Sequence, residues 1–478
     1  MGVRVVSRSL AWYVVSLVSL GAPAGGFAQE PPTEWTFSLG ARESNEFSRI
    51  NDGIPQDDRI MDAVSASLGL STRTARDRFG LFGRVGANLY REDDARERLN
   101  FGAGLSWGRQ FSPRSHSNLS LAVDRGFRAE TLSSLGLLAP GADTFATTAA
   151  WALQHQVAPR TSFSTSLGYH HIRLESDEPI FGSQIVPGAP PFIDDFPPLP
   201  GPADDGILVV PDVEDTVVDI LATEGLSANQ TNSHLANAGF GVNHRLSEYA
   251  SWGFDMVGGY RTFDSETSEI EDRREGAQAA LRLWAQRRVG QSTTVGSSYQ
   301  VSRSLVLEPT TTIQSLVASY GYAPSGRSIS LNLSAGAGYY QAESVSSQVT
   351  PVVDASFAAG LTRATRMGAA YRRQFSQSLG FGRTLLIDYV NLTLTQNFGP
   401  RVDLTLRAGG SFATDPLLED SGYDVVQAGG TLTWRVLDSL SVGTGFFDLT
   451  REQTVFDGTS KSTRNLWTVF VTYSARWR

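Results

Sequence analysis

The chain has 478 residues, a formal net charge of −9 at pH 7 and no cysteine. The absence of cysteine excludes a disulfide framework, a thiolate nucleophile and cysteine-ligated metal sites. The acidic balance provides no basic footprint for nucleic acid, so no nucleic-acid partner is expected.

The N-terminus has the pattern of a secretory signal peptide. Arg4 and Arg8 form a positive region, and an apolar run follows from Leu10 to Leu20. Residues 1–28 are therefore predicted to be a signal peptide, with cleavage after Ala28. The alternative is an uncleaved membrane anchor, but the run is shorter than the ~20 residues that a spanning helix needs.

From residue 29 onward, apolar and polar residues alternate with a period of two, which predicts strands with two different faces. Each predicted strand has about ten to fourteen residues, close to the ~9–11 that a tilted strand needs to cross hydrocarbon. The predicted strands cover residues 33–43, 60–72, 78–90, 98–110, 116–126, 145–155, 161–173, 233–244, 249–262, 276–287, 293–304, 312–322, 328–341, 349–362, 366–376, 386–397, 401–412, 424–435, 439–450 and 464–477.

The connections between these strands alternate in length. Tight turns at 112–114, 158–160 and 437–438 alternate with longer polar connections such as 91–97 and 263–274. Short periplasmic turns and long extracellular loops are typical of outer-membrane barrels. The fold predicted for residues 29–478 is all-β, a transmembrane antiparallel up-and-down β-barrel of about 20 strands (range about 18–22), with both termini periplasmic.

Aromatic residues support the same fold. Tryptophans lie in or at the ends of predicted strands, as in the aromatic girdles at membrane interfaces. The last strand, with aromatic residues at Trp467, Tyr473 and Trp477, resembles the C-terminal strand by which outer-membrane barrels are recognised for insertion. The expected location is the outer membrane of a Gram-negative bacterium. The expected partners are its lipid and lipopolysaccharide, and the barrel-assembly machinery during insertion.

The connection over residues 174–232 is far longer than the others and contains a proline-rich stretch, Pro187–Pro202. Long connections without regular structure are usually functional or disordered. One interpretation is a constriction or plug inside the barrel. The other is an extracellular lid over the barrel mouth or over a neighbouring subunit.

Charged residues that alternate with the apolar positions are predicted to face the lumen, because an arginine facing lipid at mid-depth costs about 2–4 kcal/mol. Arginines outnumber aspartates in this set, which favours a path for anions. The alternative is that these side chains only pair with each other and fill space. The predicted pore-lining residues are Arg84, Asp124, Asp255, Arg282, Arg372, Asp403, Arg407 and Arg435.

Catalysis is not predicted. His170 and His171 lie near Glu175 and Asp177, but the chain has only six histidines and repeats no ligand spacing elsewhere, which disfavours a metal or proteolytic cluster. The chain has no nucleophile elbow, P-loop or His-Glu-x-x-His motif. No catalytic residue, metal site or cofactor is therefore predicted, and the chain is not expected to be an enzyme.

The barrel architecture and the start of the mature chain resemble outer-membrane proteins of the β-barrel porin-2 type. The first strand (residues 35–42) runs into Ser44-Asn45-Glu46-Phe47, and a loop with Asp57 and Asp58 follows. The resemblance implies an association with exopolysaccharide systems and transfers no functional residue. A TonB-dependent transporter is disfavoured, because its plug domain has no room between Gln29 and Trp35.

Two functions remain open at this stage. The first is a porin-like channel or export-associated pore for hydrophilic solutes or polysaccharide, with polysaccharide-export components as partners. The second is a structural or surface-interaction barrel with a plugged lumen and no transport. A barrel-embedded hydrolase has no constellation to support it.

Overall fold

A computed structural model describes fourteen segments of the chain. The signal peptide predicted at residues 1–28 and nearly all of the long connection at 174–232 lie outside them. The described segments are 33–50, 54–90, 98–128, 131–132, 138–139, 142–175, 231–263, 275–306, 310–324, 328–343, 347–378, 383–416, 422–455 and 458–477.

Every regular element in the described segments is a β-strand, and no helix there is long and apolar enough to cross a membrane. The strands are β1 (Thr33–Ile50), β2 (Ile54–Arg73), β3 (Asp77–Tyr90), β4 (Arg98–Ser112), β5 (Ser115–Arg128), β6 (Thr131–Leu132), β7 (Leu138–Ala139), β8 (Ala142–Ala158), β9 (Thr161–Glu175), β10 (Thr231–Arg245), β11 (Ala250–Phe263), β12 (Gly276–Val289), β13 (Thr293–Ser304), β14 (Thr311–Tyr322), β15 (Ile329–Ala342), β16 (Gln348–Gly360), β17 (Thr365–Ser378), β18 (Arg383–Asn397), β19 (Val402–Thr414), β20 (Gly422–Leu437), β21 (Leu440–Val455) and β22 (Gly458–Trp477).

Twenty of these strands form one closed antiparallel barrel, as predicted from the alternation. Each long strand pairs with the next long strand along the chain, and β1 pairs with both β2 and β22, which closes the wall. The remaining two strands, β6 and β7, form a two-stranded hairpin between β5 and β8 that the alternation did not predict. Closure gives every barrel strand two hydrogen-bonded neighbours, so the wall has no free edge.

The strands connect at one end of the wall by short turns. Eight of these turns contain two to four residues, at 74–76, 113–114, 159–160, 246–249, 290–292, 361–364, 398–401 and 438–439. Two of them contain a glycine in the left-handed region, Gly290 with φ 80° and Gly399 with φ 78°, which glycine adopts without steric cost.

The predicted strand bounds are too short mainly at the end opposite these turns. The β1–β2 hairpin reaches Ile50 and Ile54, whereas the alternation ends near residue 43 and resumes near residue 60. Its register shifts between Glu46 and Ser48. Backbone pairing continues beyond the region in which side-chain hydrophobicity alternates, because a ladder depends on backbone hydrogen bonds and needs no apolar side chain.

The register divides the side chains of the wall into two sets, because cross-strand partners lie on the same face of a sheet. We call the set that contains Arg84, Asp124 and the residues in register with them the polar face. The other set is the apolar face. It carries many exposed large hydrophobic side chains, including Leu316 (61% exposed), Val349 (69%) and Val469 (57%).

Candidate functional site

Three ion pairs and one further pair of opposite charges on the polar face involve predicted pore-lining residues. The first ion pair joins Arg84 of β3 to Asp124 of β5, which lie on either side of β4. The side chains meet over Gly102 of β4, the residue in register with both. A Cβ at Gly102 would lie 2.6 Å from Asp124 Oδ2 and 2.8 Å from Arg84 Nε. Glycine at this position therefore lets the ion pair cross the intervening strand.

Asp255 of β11 lies directly opposite Arg282 of β12. The indole of Trp284 donates a hydrogen bond from Nε1 to Asp255 Oδ2 at 3.2 Å. The Trp284 ring lies over Gly253, and a Cβ added at this glycine would lie 2.6 Å from the ring. Arg282 and Trp284, both on the adjacent strand β12, thus face this carboxylate, and the hydrogen bond from Trp284 orients it. Sequence reasoning missed Trp284 as part of this group, although its position in the alternation places it on the same face as Arg282.

Arg372 of β17 donates from Nε to Asp354 Oδ2 of β16 at 2.8 Å. Arg435 of β20 approaches Asp403 of β19, with Nη2 and Oδ2 3.6 Å apart. Asp354 was not among the predicted residues, although the alternation in residues 349–362 places it on the same face as the predicted ones. These pairs resemble the space-filling alternative, in which the charges of this face compensate one another.

Arg407 completes the predicted set. It is exposed on the polar face of β19, opposite Thr393 of β18 and Gly429 of β20. The register therefore places all eight predicted residues on one face, but it brings them together as local pairs spread around the wall. Arg407 and Arg435 lie on adjacent strands, as predicted.

The two faces differ in charge balance. On the strand residues whose side chains the structure describes, the polar face carries fourteen arginines and five carboxylates. The arginines are Arg42, Arg73, Arg78, Arg84, Arg245, Arg261, Arg282, Arg288, Arg366, Arg372, Arg407, Arg435, Arg451 and Arg464, and the carboxylates are Glu34, Asp124, Asp255, Asp354 and Asp403. The formal excess is therefore nine positive charges, on a chain whose net charge is −9.

One part of the polar face is apolar and buried. The side chains of a cluster on four neighbouring strands, β18 to β21, project on this face near the end opposite the short turns. Ile387 and Val425 have no exposed surface, and Leu385 and Leu449 are 1% exposed. The cluster contains Leu385, Ile387, Tyr389, Ala413, Tyr423, Val425 and Leu449. A freely hydrated inner wall would leave such side chains exposed, so this part of the face is covered.

The two adjacent histidines do not form a site together, because alternation places His170 and His171 on opposite faces. His171 stacks on His234 of the next strand, with ring centroids 4.4 Å apart, and its Nε2 lies 2.6 Å from Asn232 Oδ1. Among the described residues, no group of three or more histidine, aspartate or glutamate side chains has the arrangement to hold a metal ion.

The barrel is similar to solved outer-membrane receptor structures. The siderophore receptor PirA from Pseudomonas aeruginosa has a TM-score of 0.50 and 9% identity, and the match covers 94% of this chain and 82% of PirA. A mutant of the ferric enterobactin receptor PfeA from the same organism has a TM-score of 0.50 and 10% identity, covering 93% and 81%.

The FrpB iron transporter from Neisseria meningitidis, F5-1 variant, has a TM-score of 0.50 and 10% identity, covering 91% of this chain and 82% of FrpB. At this level of identity the likeness concerns the fold alone. No protein-family model matches the chain, and no curated protein matches it with significance. The chain thus has the closed antiparallel β-barrel fold of outer-membrane proteins, consistent with the outer membrane of a Gram-negative bacterium.

Proposed function

We propose that this protein is an outer-membrane channel whose polar face is the inner wall and favours hydrophilic anions. The observation that carries the proposal is the excess of fourteen arginines over five carboxylates on that face. A wall of fixed positive charge attracts anions and repels cations, and the planar guanidinium group matches carboxylate and phosphate oxygens. A closed barrel of about 16–18 strands already encloses an aqueous path, and twenty strands enclose a wider one.

The eight residues predicted to line the pore have different roles in this proposal. Arg84, Arg372 and Arg435 each pair with an aspartate, so their charge is largely compensated. Arg407, exposed on the polar face opposite Thr393 and Gly429, is one of the fourteen arginines that give this face its positive excess. Acidic polysaccharide is the polymer that such a wall suits best. An export role would make polysaccharide-export components its partners.

The proposal places the short turns and both termini in the periplasm and the long connections outside the cell. The eight short turns at one end of the wall support this orientation, since outer-membrane barrels have short periplasmic turns. The exposed apolar face then contacts lipid and, in the outer leaflet, lipopolysaccharide. The aromatic residues of β22 would be read by the assembly machinery. Residues 1–28 would be removed on export.

A second function, a structural barrel with an occluded lumen, is favoured by the buried apolar cluster on β18 to β21. Ile387 and Val425 are buried on the polar face, so water is excluded from a part of the wall that an open channel would hydrate. The long connection at 174–232 is the largest segment available to fill the lumen, and in this alternative it acts as a plug or lid.

Single-channel conductance of the refolded protein in planar bilayers tests the proposal. We expect stable conductance steps with anion selectivity, and Arg407→Glu should reduce the ratio of anion to cation permeability several-fold. The matched control is Arg303→Glu, an exposed arginine on the apolar face of β13, which should leave selectivity unchanged.

A variant that lacks residues 178–228 distinguishes the two functions. Conductance that appears only after the deletion would make this connection the gate of a channel. If neither form conducts, although heat-modifiable gel migration confirms a folded barrel, the channel is refuted and the structural barrel is supported. Equal loss of selectivity in the two arginine variants would refute the assignment of the polar face to the pore.

A further inference from the structure

The ladder between β16 and β17 is the shortest among the described barrel strands. It has eight paired positions, from Val353↔Arg373 to Gly360↔Arg366, whereas every other pair of neighbouring barrel strands has at least eleven. Both strands continue past the last pair, β16 back to Gln348 and β17 on to Ser378. Five residues of each strand therefore lie beyond the ladder, although each still pairs with its other neighbour, β15 or β18.

A proline explains where the ladder stops. The N–H of Gly360 donates to the carbonyl of Ser328, which directly precedes β15. The N–H of the next residue, Leu361, donates to the carbonyl of Thr365, the first residue of β17. Because hydrogen-bonded pairs recur at every second position, the odd-numbered residues of β16 bond to β17. Pro351 is odd-numbered, and in the continued register it would face Phe375. It has no N–H to donate, so the next pair of the ladder cannot form fully.

Side chains from both faces meet in the gap above the ladder. Tyr340 is in register with the polar face, whereas alternation from Arg372 places Phe375 on the apolar face. Their rings nevertheless stack with centroids 5.4 Å apart. They form one buried cluster with Leu386 and Ala342, and Ile313 packs against it. A ring can reach across in this way only where no backbone ladder separates the two faces.

We propose that this seam is a lateral passage through the wall for the acyl chain of an anionic amphiphile, namely a long-chain carboxylate in the outer leaflet. The lining is apolar, and Val349, at 69% exposure, extends the apolar surface outward from the gap. Arg372 lies on the polar face directly below the cluster, and its guanidinium, which donates to Asp354 from Nε, has further N–H groups to donate to a carboxylate head group. The aromatic ring of Phe375 closes the passage at rest.

The depth of the gap suits an acyl chain. Pro351 lies nine residues from the short-turn end of β16 at Gly360. At about 3.3 Å per residue and a tilt of about 45°, this distance corresponds to about 20 Å along the membrane normal. In the orientation proposed above, the gap lies in the outer half of a bilayer whose hydrocarbon core is about 25–30 Å thick.

Site-directed fluorescence tests the passage, because the chain contains no native cysteine. Ile313→Cys, on the inner side of the cluster, is labelled with bimane in phosphatidylcholine vesicles. The quencher is stearate that carries a nitroxide near its carboxylate, the end that Arg372 would bind. The reference label is at Thr148→Cys, on the polar face of the fully paired β8–β9 seam. We expect strong quenching at position 313 and little at position 148.

Two further substitutions decide whether the chain enters through the seam. Pro351→Val restores the missing donor and should reduce quenching at position 313 at least threefold. Phe375→Ala removes the closing ring and should increase it, with Phe375→Leu as the substitute if the alanine variant does not fold. Equal quenching at positions 313 and 148, or quenching unaffected by Pro351→Val, would overturn the proposal, because the amphiphile would then enter through the barrel mouth. The readout needs no conductance, so it stands apart from the test of the channel.

Discussion

Arg372 and Arg373 are neighbours in the chain and lie on opposite faces of the wall. Arg372 pairs with Asp354 at 2.8 Å on the polar face, and Arg373 pairs with Asp388 at 3.0 Å on the apolar face. The apolar-face pair also accepts a hydrogen bond from Tyr371, whose hydroxyl lies 2.6 Å from Asp388 Oδ1. The polar face carries a large excess of arginine. A charge on a face that contacts lipid, as we propose for the apolar face, depends on its partners.

The largest expected effect comes from adding a charge to either face at the same depth. Val471 lies on the apolar face of β22 and is 41% exposed, and Thr472 follows it on the polar face. Val471→Arg should lower the free energy of unfolding by about 2–4 kcal/mol, because it places a guanidinium in hydrocarbon at mid-depth. Thr472→Arg is the matched control and should cost less than about 1 kcal/mol. Denaturant unfolding in lipid vesicles measures both, and equal costs would contradict the assignment of the two faces.

A smaller effect is expected when either aspartate partner is removed. Asp388→Asn leaves Arg373 on the apolar face without its counter-charge and should destabilise the barrel by about 1–2 kcal/mol, since the cost of arginine falls toward the interface. Asp354→Asn, which affects Arg372 in the same way on the polar face, should cost less than about 1 kcal/mol, as for exposed ion pairs. The same unfolding measurement ranks the two variants. If Asp354→Asn lowered the free energy of unfolding more than Asp388→Asn, the expected difference between the two faces would be contradicted.

The smallest effect tests the glycine beneath the Arg84–Asp124 pair. Gly83→Ala adds a methyl group where no atom lies within 4 Å and should stabilise the strand by about 0.5–1 kcal/mol. Gly102→Ala should not show this gain, because its Cβ would lie within 3 Å of both charged side chains and would displace them. Unfolding midpoints of the two alanine variants provide the comparison. An equal gain in both would show that the ion pair does not need the glycine.

Much of the wall could be predicted from the sequence, since a strand in a membrane barrel has lipid on one side and a different environment on the other. This difference appears as alternation, as in residues 402–412, and the strand count and the common face of all eight charged residues follow from it. The pairing of Arg84 with Asp124 could not be predicted in the same way. It joins strands that are not adjacent and depends on the register of β3, β4 and β5.

The buried cluster around Ile387 could not be predicted from the alternation either. Leu385, Leu386 and Ile387 are consecutive apolar residues, and a period of two cannot say which of them faces inward or what covers them. The sequence does show a proline inside a predicted strand, Pro351. Its effect on the β16–β17 ladder could not be predicted, because only the register shows that the backbone nitrogen of Pro351 faces β17.

The sequence by itself determined the class of fold, the approximate number of strands and the common face of the eight predicted charged side chains. These properties are local, because each depends on the alternation of neighbouring residues and on the spacing of turns. Only the tertiary structure decided which charges pair, which part of the polar face is buried and which ladder of the wall is shortest. These properties depend on the register between strands, which backbone hydrogen bonds and side-chain packing fix over distances that sequence periodicity does not encode.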